Sequence, residues 1–115
     1  MPLLKMHTSV PVPEEKKEPL VKALSQITAE TIGKPESYVM VVLSHGTMSM
    51  GGEIGPAAFA DVRSIGGLSG KVNKQISEKV CALLEDTLGI PGNRVYISFN
   101  DSAAGDWGWD RGTFG

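Results

Sequence analysis

The chain has 115 residues, 41% hydrophobic and 21% charged, with a formal net charge of −2. Length and composition are those of one globular domain, 1-115. No Lys/Arg stripe points to nucleic acid or an anionic membrane, no apolar run approaches the ~20 residues of a membrane helix, and the single Cys81 allows no internal disulfide. No basic-then-apolar leader opens the chain, so a cytoplasmic location is expected.

The first predicted strand, Leu3 to Thr8, is preceded by Pro2. A proline has no N–H to give a ladder and is tolerated at the head of a strand, so packaging is its ordinary role. If Met1 is removed, however, the ring nitrogen becomes a secondary amine held at a rigid place. If Met1 stays, that nitrogen is an amide and cannot act as a base.

A helix follows, with Leu20, Ala23, Leu24, Ile27 and Thr31 recurring at helical spacing. It begins either at Pro13, a favourable first helical residue, or near Glu18, because Pro19 costs about 3 kcal/mol inside a helix. Gly33 reads as a left-handed C-cap, with Pro35 beyond it as a stop. Tyr38 to Leu43 then has strand character.

The second half repeats the first at an offset of 56 residues, matching GKPESYVMV from Gly33 with GIPGNRVYI from Gly89. Its elements are a weaker strand, Phe59 to Ile65; a helix marked by Val72, Ile76, Val80, Leu83, Leu84 and Thr87; the cap Gly89 with Pro91; and a strand from Arg94 to Phe99. The unit is β-α-β, twice, with pseudo-repeats at about 1-56 and 57-115. Right-handed crossovers then give an α+β fold, a four-stranded sheet with two helices on one face. The bare face is expected to be apolar and small, and to be covered by oligomerisation. MSMGG at Met48 to Gly52 and WGW at Trp107 to Trp109 are expected as short edge strands that pair between subunits.

Candidate chemistry is sparse. His7 and His45 have no companions at metal-ligand spacing, so no metal is expected. Cys81 reads as a small buried hydrophobe. SIGGLSG, Ser64 to Gly70, is a glycine-rich turn whose N–H groups suit an anion, although it matches no nucleotide-binding pattern. Lys34 either complements the end of the first helix or offers a charge to a carboxylate. Trp107, Trp109 and Phe114 form either a packed tail or an aromatic wall for a planar ligand.

Taken together, MPLL with Pro2, TIGKP around Lys34, RSIGGLSG with Ile65, RVYISF with Tyr96, and GWDRGTF with Trp109 and Phe114 resemble the macrophage migration inhibitory factor family of the tautomerase superfamily. The resemblance spans essentially the whole chain. It implies a homotrimer with active sites between subunits, and a cofactor-free isomerase that interconverts keto and enol forms of aromatic 2-oxo acids such as phenylpyruvate. By the same resemblance, Met1 is cleaved and Pro2 is the general base, then the acid. Lys34 and the backbone at Ile65 hold the substrate carboxylate. Tyr96 of the adjacent subunit, with Tyr38, Trp107, Trp109 and Phe114, forms the walls. Ser98 stands where vertebrate members carry asparagine, and Trp107 where they carry a smaller aliphatic residue. The stretch Pro56 to Ala60 lacks the family's CxxC, so no thiol–disulfide activity is expected. The resemblance also carries an alternative, a cytokine-like protein-binding module with a vestigial pocket, and leaves a non-classical secretion route open.

Overall fold

The computed structural model describes residues 1–115. Four strands form the central sheet: β1 (Leu3–Thr8), β2 (Met40–His45), β5 (Ala58–Ser64) and β6 (Val95–Asp101), in the order β2-β1-β5-β6. β1 and β2 are parallel, as are β5 and β6, and an antiparallel β1–β5 seam joins the two pairs. Each parallel pair is bridged by a helix, α1 (Glu14–Ile32) or α2 (Gly70–Leu88), so both halves of the chain repeat one β-α-β plan.

Strand alternation decides which residues reach the core. Leu4, Met6 and Thr8 of β1, with Ala58, Ala60, Val62 and Ser64 of β5, point to the helices and are buried. Against them α1 sets Leu20, Leu24 and Ile32, and α2 sets Ile76, Val80 and Leu84. Fully burying one leucine of this set stabilises the fold by roughly 1.5–3 kcal/mol. The helices run antiparallel on that one face. Lys16 Nζ donates to Thr87 O at 3.1 Å near one end, and Lys79 Nζ to Thr31 Oγ1 at 3.1 Å near the other.

Gly33 and Gly89 end the helices in the left-handed region, at φ 81° and φ 68°, which glycine enters without a Cβ penalty. Pro19 lies inside α1, which runs unbroken from Glu14. The carbonyl it leaves unbonded belongs to Glu15, in the exposed first turn and open to solvent.

Two expectations shift. The strands after Pro35 and Pro91 start later than predicted, because each proline is followed by a short 3₁₀ turn, Glu36–Tyr38 and Gly92–Arg94. Tyr38 and Arg94 therefore sit in turns, closed by Tyr38 N–H to Pro35 O at 3.1 Å and Arg94 N–H to Pro91 O at 2.9 Å. The two short edge segments form as expected, each folded as a hairpin within the chain: β3 (Ser49–Met50) with β4 (Glu53–Ile54) and β7 (Gly108–Trp109) with β8 (Gly112–Thr113).

The uncovered sheet face is also more polar than expected. Met40, Val42, Leu3, Phe59 and Tyr96 share it with Lys5, Asp61, Arg63, Ser98 and Asn100, because period-two alternation places all of them on the side away from the helices. No helix is long and apolar enough to cross a membrane.

Candidate active site

Pro2 lies at the head of β1, its carbonyl accepting the Met40 N–H at 3.0 Å, and its ring is fully buried. It forms part of a cavity of about 510 Å³. The floor is one row of the sheet: the register pairs Met40 with Leu3 and Leu3 with Arg63, and all three line the cavity. Tyr38 stands at one side, and Trp107, Trp109 and Phe114 form the wall. The Trp109 and Phe114 rings stack with centroids 5.6 Å apart, and Tyr38 meets Phe114 edge-on at 6.5 Å. Phe114 is tied in place by its N–H donating to Trp107 O at 3.1 Å. Apolar walls with few polar groups are the usual make-up of a small-molecule site.

The terminal amine, here on Met1, is held below its ordinary value of 8.0. Burial is the larger cause, because it disfavours the charged form; the Lys34 cation is the second. Lys34 follows the Gly33 cap, its N–H bonded to Ala29 O at 3.1 Å. Its side chain passes over Gly67, where a Cβ would lie 3.5 Å from Lys34 Cε.

Of the residues singled out in the sequence, Pro2, Tyr38, Trp107, Trp109 and Phe114 come together around this one cavity. Lys34 and Ile65 are half-buried and off its wall, although Lys34 acts on the amine through space. Ser98 lies on the open sheet face, accepting a hydrogen bond from Asn100 Nδ2 at 3.4 Å. Tyr96 is 67% exposed and lines a separate cavity of about 480 Å³ with Met48, Met50 and Phe59. The register explains the separation. Tyr96 pairs with Phe59 and Phe59 with His7, so Tyr96 lies on the His7 row, five residues or about 17 Å along β1 from Pro2.

The glycine-rich turn is engaged by the protein itself. Gly66 N–H donates to Asp101 Oδ1 at 2.9 Å, and Ser69, the N-cap of α2, accepts from Val72 N–H at 3.1 Å. The histidines are likewise occupied, His7 stacking on Phe59 at 6.2 Å and His45 Nε2 lying 3.2 Å from Ser9 O. No group of three or more metal-ligating side chains converges. Cys81 is half-buried rather than buried.

Sequence reasoning missed Arg63, Ser37, Ser102 and Asp106 on the cavity wall. Arg63 had one signal, its place two residues before Ile65 on a strand, but its partner strand is not written locally.

A paired β-α-β sheet with a buried proline at its leading edge, under an aromatic wall, defines a protein of the tautomerase-superfamily fold. The comparisons narrow this. The family model described as macrophage migration inhibitory factor matches residues 1–115, and the chain belongs to that family. A macrophage migration inhibitory factor homolog from Trichuris trichiura is 41% identical over 115 residues, covering 99% of this chain and 100% of the relative. The crystal structure of a macrophage migration inhibitory factor-like protein from Entamoeba histolytica superposes with a TM-score of 0.94 at 34% identity, over 98% of each chain. The homologue from Prochlorococcus marinus gives 0.93 at 42% identity, over 98% of this chain and 99% of that one.

Proposed function

We propose that the chain is a keto–enol tautomerase of aromatic 2-oxo acids such as phenylpyruvate, with Pro2 as general base and then acid once Met1 is removed. The observation that carries this reading is the burial of Pro2 in an aromatic-walled cavity where the terminal amine is already held below its ordinary value. Losing Met1 moves the amine one residue deeper, onto the Pro2 ring nitrogen. Burial and Lys34 act there with the same sign, both favouring the neutral amine. A base poised near the working pH suits a proton that must be both taken and returned.

In the keto form the neutral Pro2 nitrogen takes a proton from the carbon next to the carbonyl. The C–H electron pair becomes the enolate C=C bond, and the carbonyl pair moves to oxygen. Protonated Pro2 then delivers that proton to the oxygen. One proton moves and no net electrons do, so the chemistry asks for no redox cofactor. Lys34, which acts on the amine from just off the cavity wall, and the backbone at Ile65 hold the substrate carboxylate, and Tyr38, Trp107, Trp109 and Phe114 hold the ring. Because Tyr96 lies about 17 Å along the strands and two strands across the sheet from Pro2 within one chain, its part in the site, and that of Ser98, belongs to a neighbouring copy in a homotrimer.

The test is the mass of the mature N-terminal peptide together with phenylpyruvate turnover. A Pro2 N-terminus with turnover that falls about 100-fold or more in Pro2→Gly is the expected result. Retained Met1 in an active sample, or unchanged turnover in the variant, overturns it.

A further inference from the structure

Arg63 is the only cationic side chain on the cavity wall, and its setting is built rather than incidental. Its Nε and Nη2 both donate to Asp61 Oδ2, at 3.1 and 2.9 Å. Asp61 is only 14% exposed and is held from its other side, where Oδ1 accepts from Asn100 Nδ2 at 3.3 Å. The guanidinium is thus fixed in orientation, with its remaining N–H groups unengaged within the chain. Asp106, also on the wall, pairs with no cation. The cavity floor runs Met40, Leu3, Arg63 across three strands, roughly 10 Å from end to end. It is apolar for two residues and ends in a fixed positive charge.

We infer that Arg63 is a second anion anchor, and that the site prefers aromatic 2-oxo acids whose ring bears a further carboxylate. The inference rests on the 2-oxo acid reading for the first carboxylate, held at Lys34. The floor is about 10 Å wide, so a substrate laid along Met40 and Leu3, with its ring at the far end, brings a para carboxylate towards the guanidinium while the aromatic wall covers the ring's other face. Asp106 opposes the second charge, and removing its charge strengthens binding.

Calorimetry on the processed protein compares two unreactive probes, phenylacetate and 4-carboxyphenylacetate. The expected result is at least roughly tenfold tighter binding of the dicarboxylate, the size of a charge-assisted hydrogen bond. Arg63→Leu erases that preference and leaves phenylacetate within about twofold, since the ring contacts are untouched. Arg63→Gln, which keeps donors without charge, loses most of it, and Asp106→Asn increases it. A wild-type protein without the preference, or a preference that survives Arg63→Leu, overturns the inference. Because the probes do not react, the two readings separate. Absent phenylpyruvate turnover with an Arg63-dependent preference defeats the tautomerase reading alone, and turnover without the preference defeats the anchor alone.

Discussion

The rings of Trp109 and Phe114 lie stacked, centroids 5.6 Å apart and planes 14° from parallel. One residue comes from β7 and the other from just past β8, so the hairpin between them is what holds the cavity wall upright. The wall touches the buried core very little, and Trp109 is 60% exposed. Binding and stability therefore separate here. Phe114→Ala removes a stacked partner and an edge-on contact to Tyr38, each worth about 0.5–1.5 kcal/mol. The expected outcome is a KM for phenylpyruvate raised about tenfold, with kcat changed much less and the thermal midpoint lowered by only a few degrees, the share of the lost ring contacts. Steady-state kinetics beside a melting curve checks it.

The terminal amine gives a pH prediction with a definite sign. Burial and Lys34 disfavour its protonated form, so its folded value lies below 8.0. In the processed protein the proposed base is the Pro2 nitrogen in the same setting, so the proposed activity falls as pH drops and that amine takes up its proton. Lys34→Met removes one of the two causes that disfavour the protonated form, so the acid limb of kcat/KM moves upward. An unchanged limb in a folded variant would show that Lys34 does not act on the base. Stability follows the same linkage: the unfolded amine binds its proton more readily, so folding weakens as pH falls from 8.0 through the folded value.

Gly67 and Gly66 share a left-handed backbone, at φ 82° and φ 74°, but not a neighbourhood. A Cβ at Gly67 would lie 2.6 Å from Ile32 Cγ2, while one at Gly66 meets nothing within 4 Å. Gly67→Ala thus suffers strain plus a clash against a core residue, about 2–4 kcal/mol; Gly66→Ala suffers strain alone, about 1–2 kcal/mol. Chemical denaturation of the two variants, compared pairwise, measures the difference. Equal losses would mean that Ile32 gives way.

How far the sequence reaches depends on whether a feature is local. Gly33 and Gly89 announced the helix ends because a left-handed cap is a property of one residue and its neighbours. The aromatic wall was legible because its three residues sit within nine positions of the C-terminus. Arg63 was not. Its role follows from standing opposite Leu3 across an antiparallel seam, a pairing that no local pattern encodes. Asp101 shows the same limit: its carboxylate takes a Gly66 N–H that the turn alone seemed to offer an anion. The strand starts at Tyr38 and Arg94 slipped because backbone bonds to a preceding proline carbonyl leave no residue-type signature.

The distance between Pro2 and Tyr96 makes the last prediction. Both belong to the proposed site, yet the register holds them about 17 Å apart along the strands and two strands apart across the sheet in one chain. A site that uses both must draw them from different copies. Pro2→Gly destroys the base and Tyr96→Ala damages the wall, so each protein alone is impaired in every site it forms. In mixed copies of the proposed trimer, some sites take Pro2 from the Tyr96→Ala copy and Tyr96 from the Pro2→Gly copy, and these are intact. Random equal mixing makes about a quarter of the sites whole in a cyclic assembly. Co-refolding the two variants should restore close to that share of wild-type turnover. Mixing without dissociation should restore nothing. Should co-refolding give only the average of the two variants, Tyr96 has no place in a neighbour's site, and the shared-site geometry is wrong.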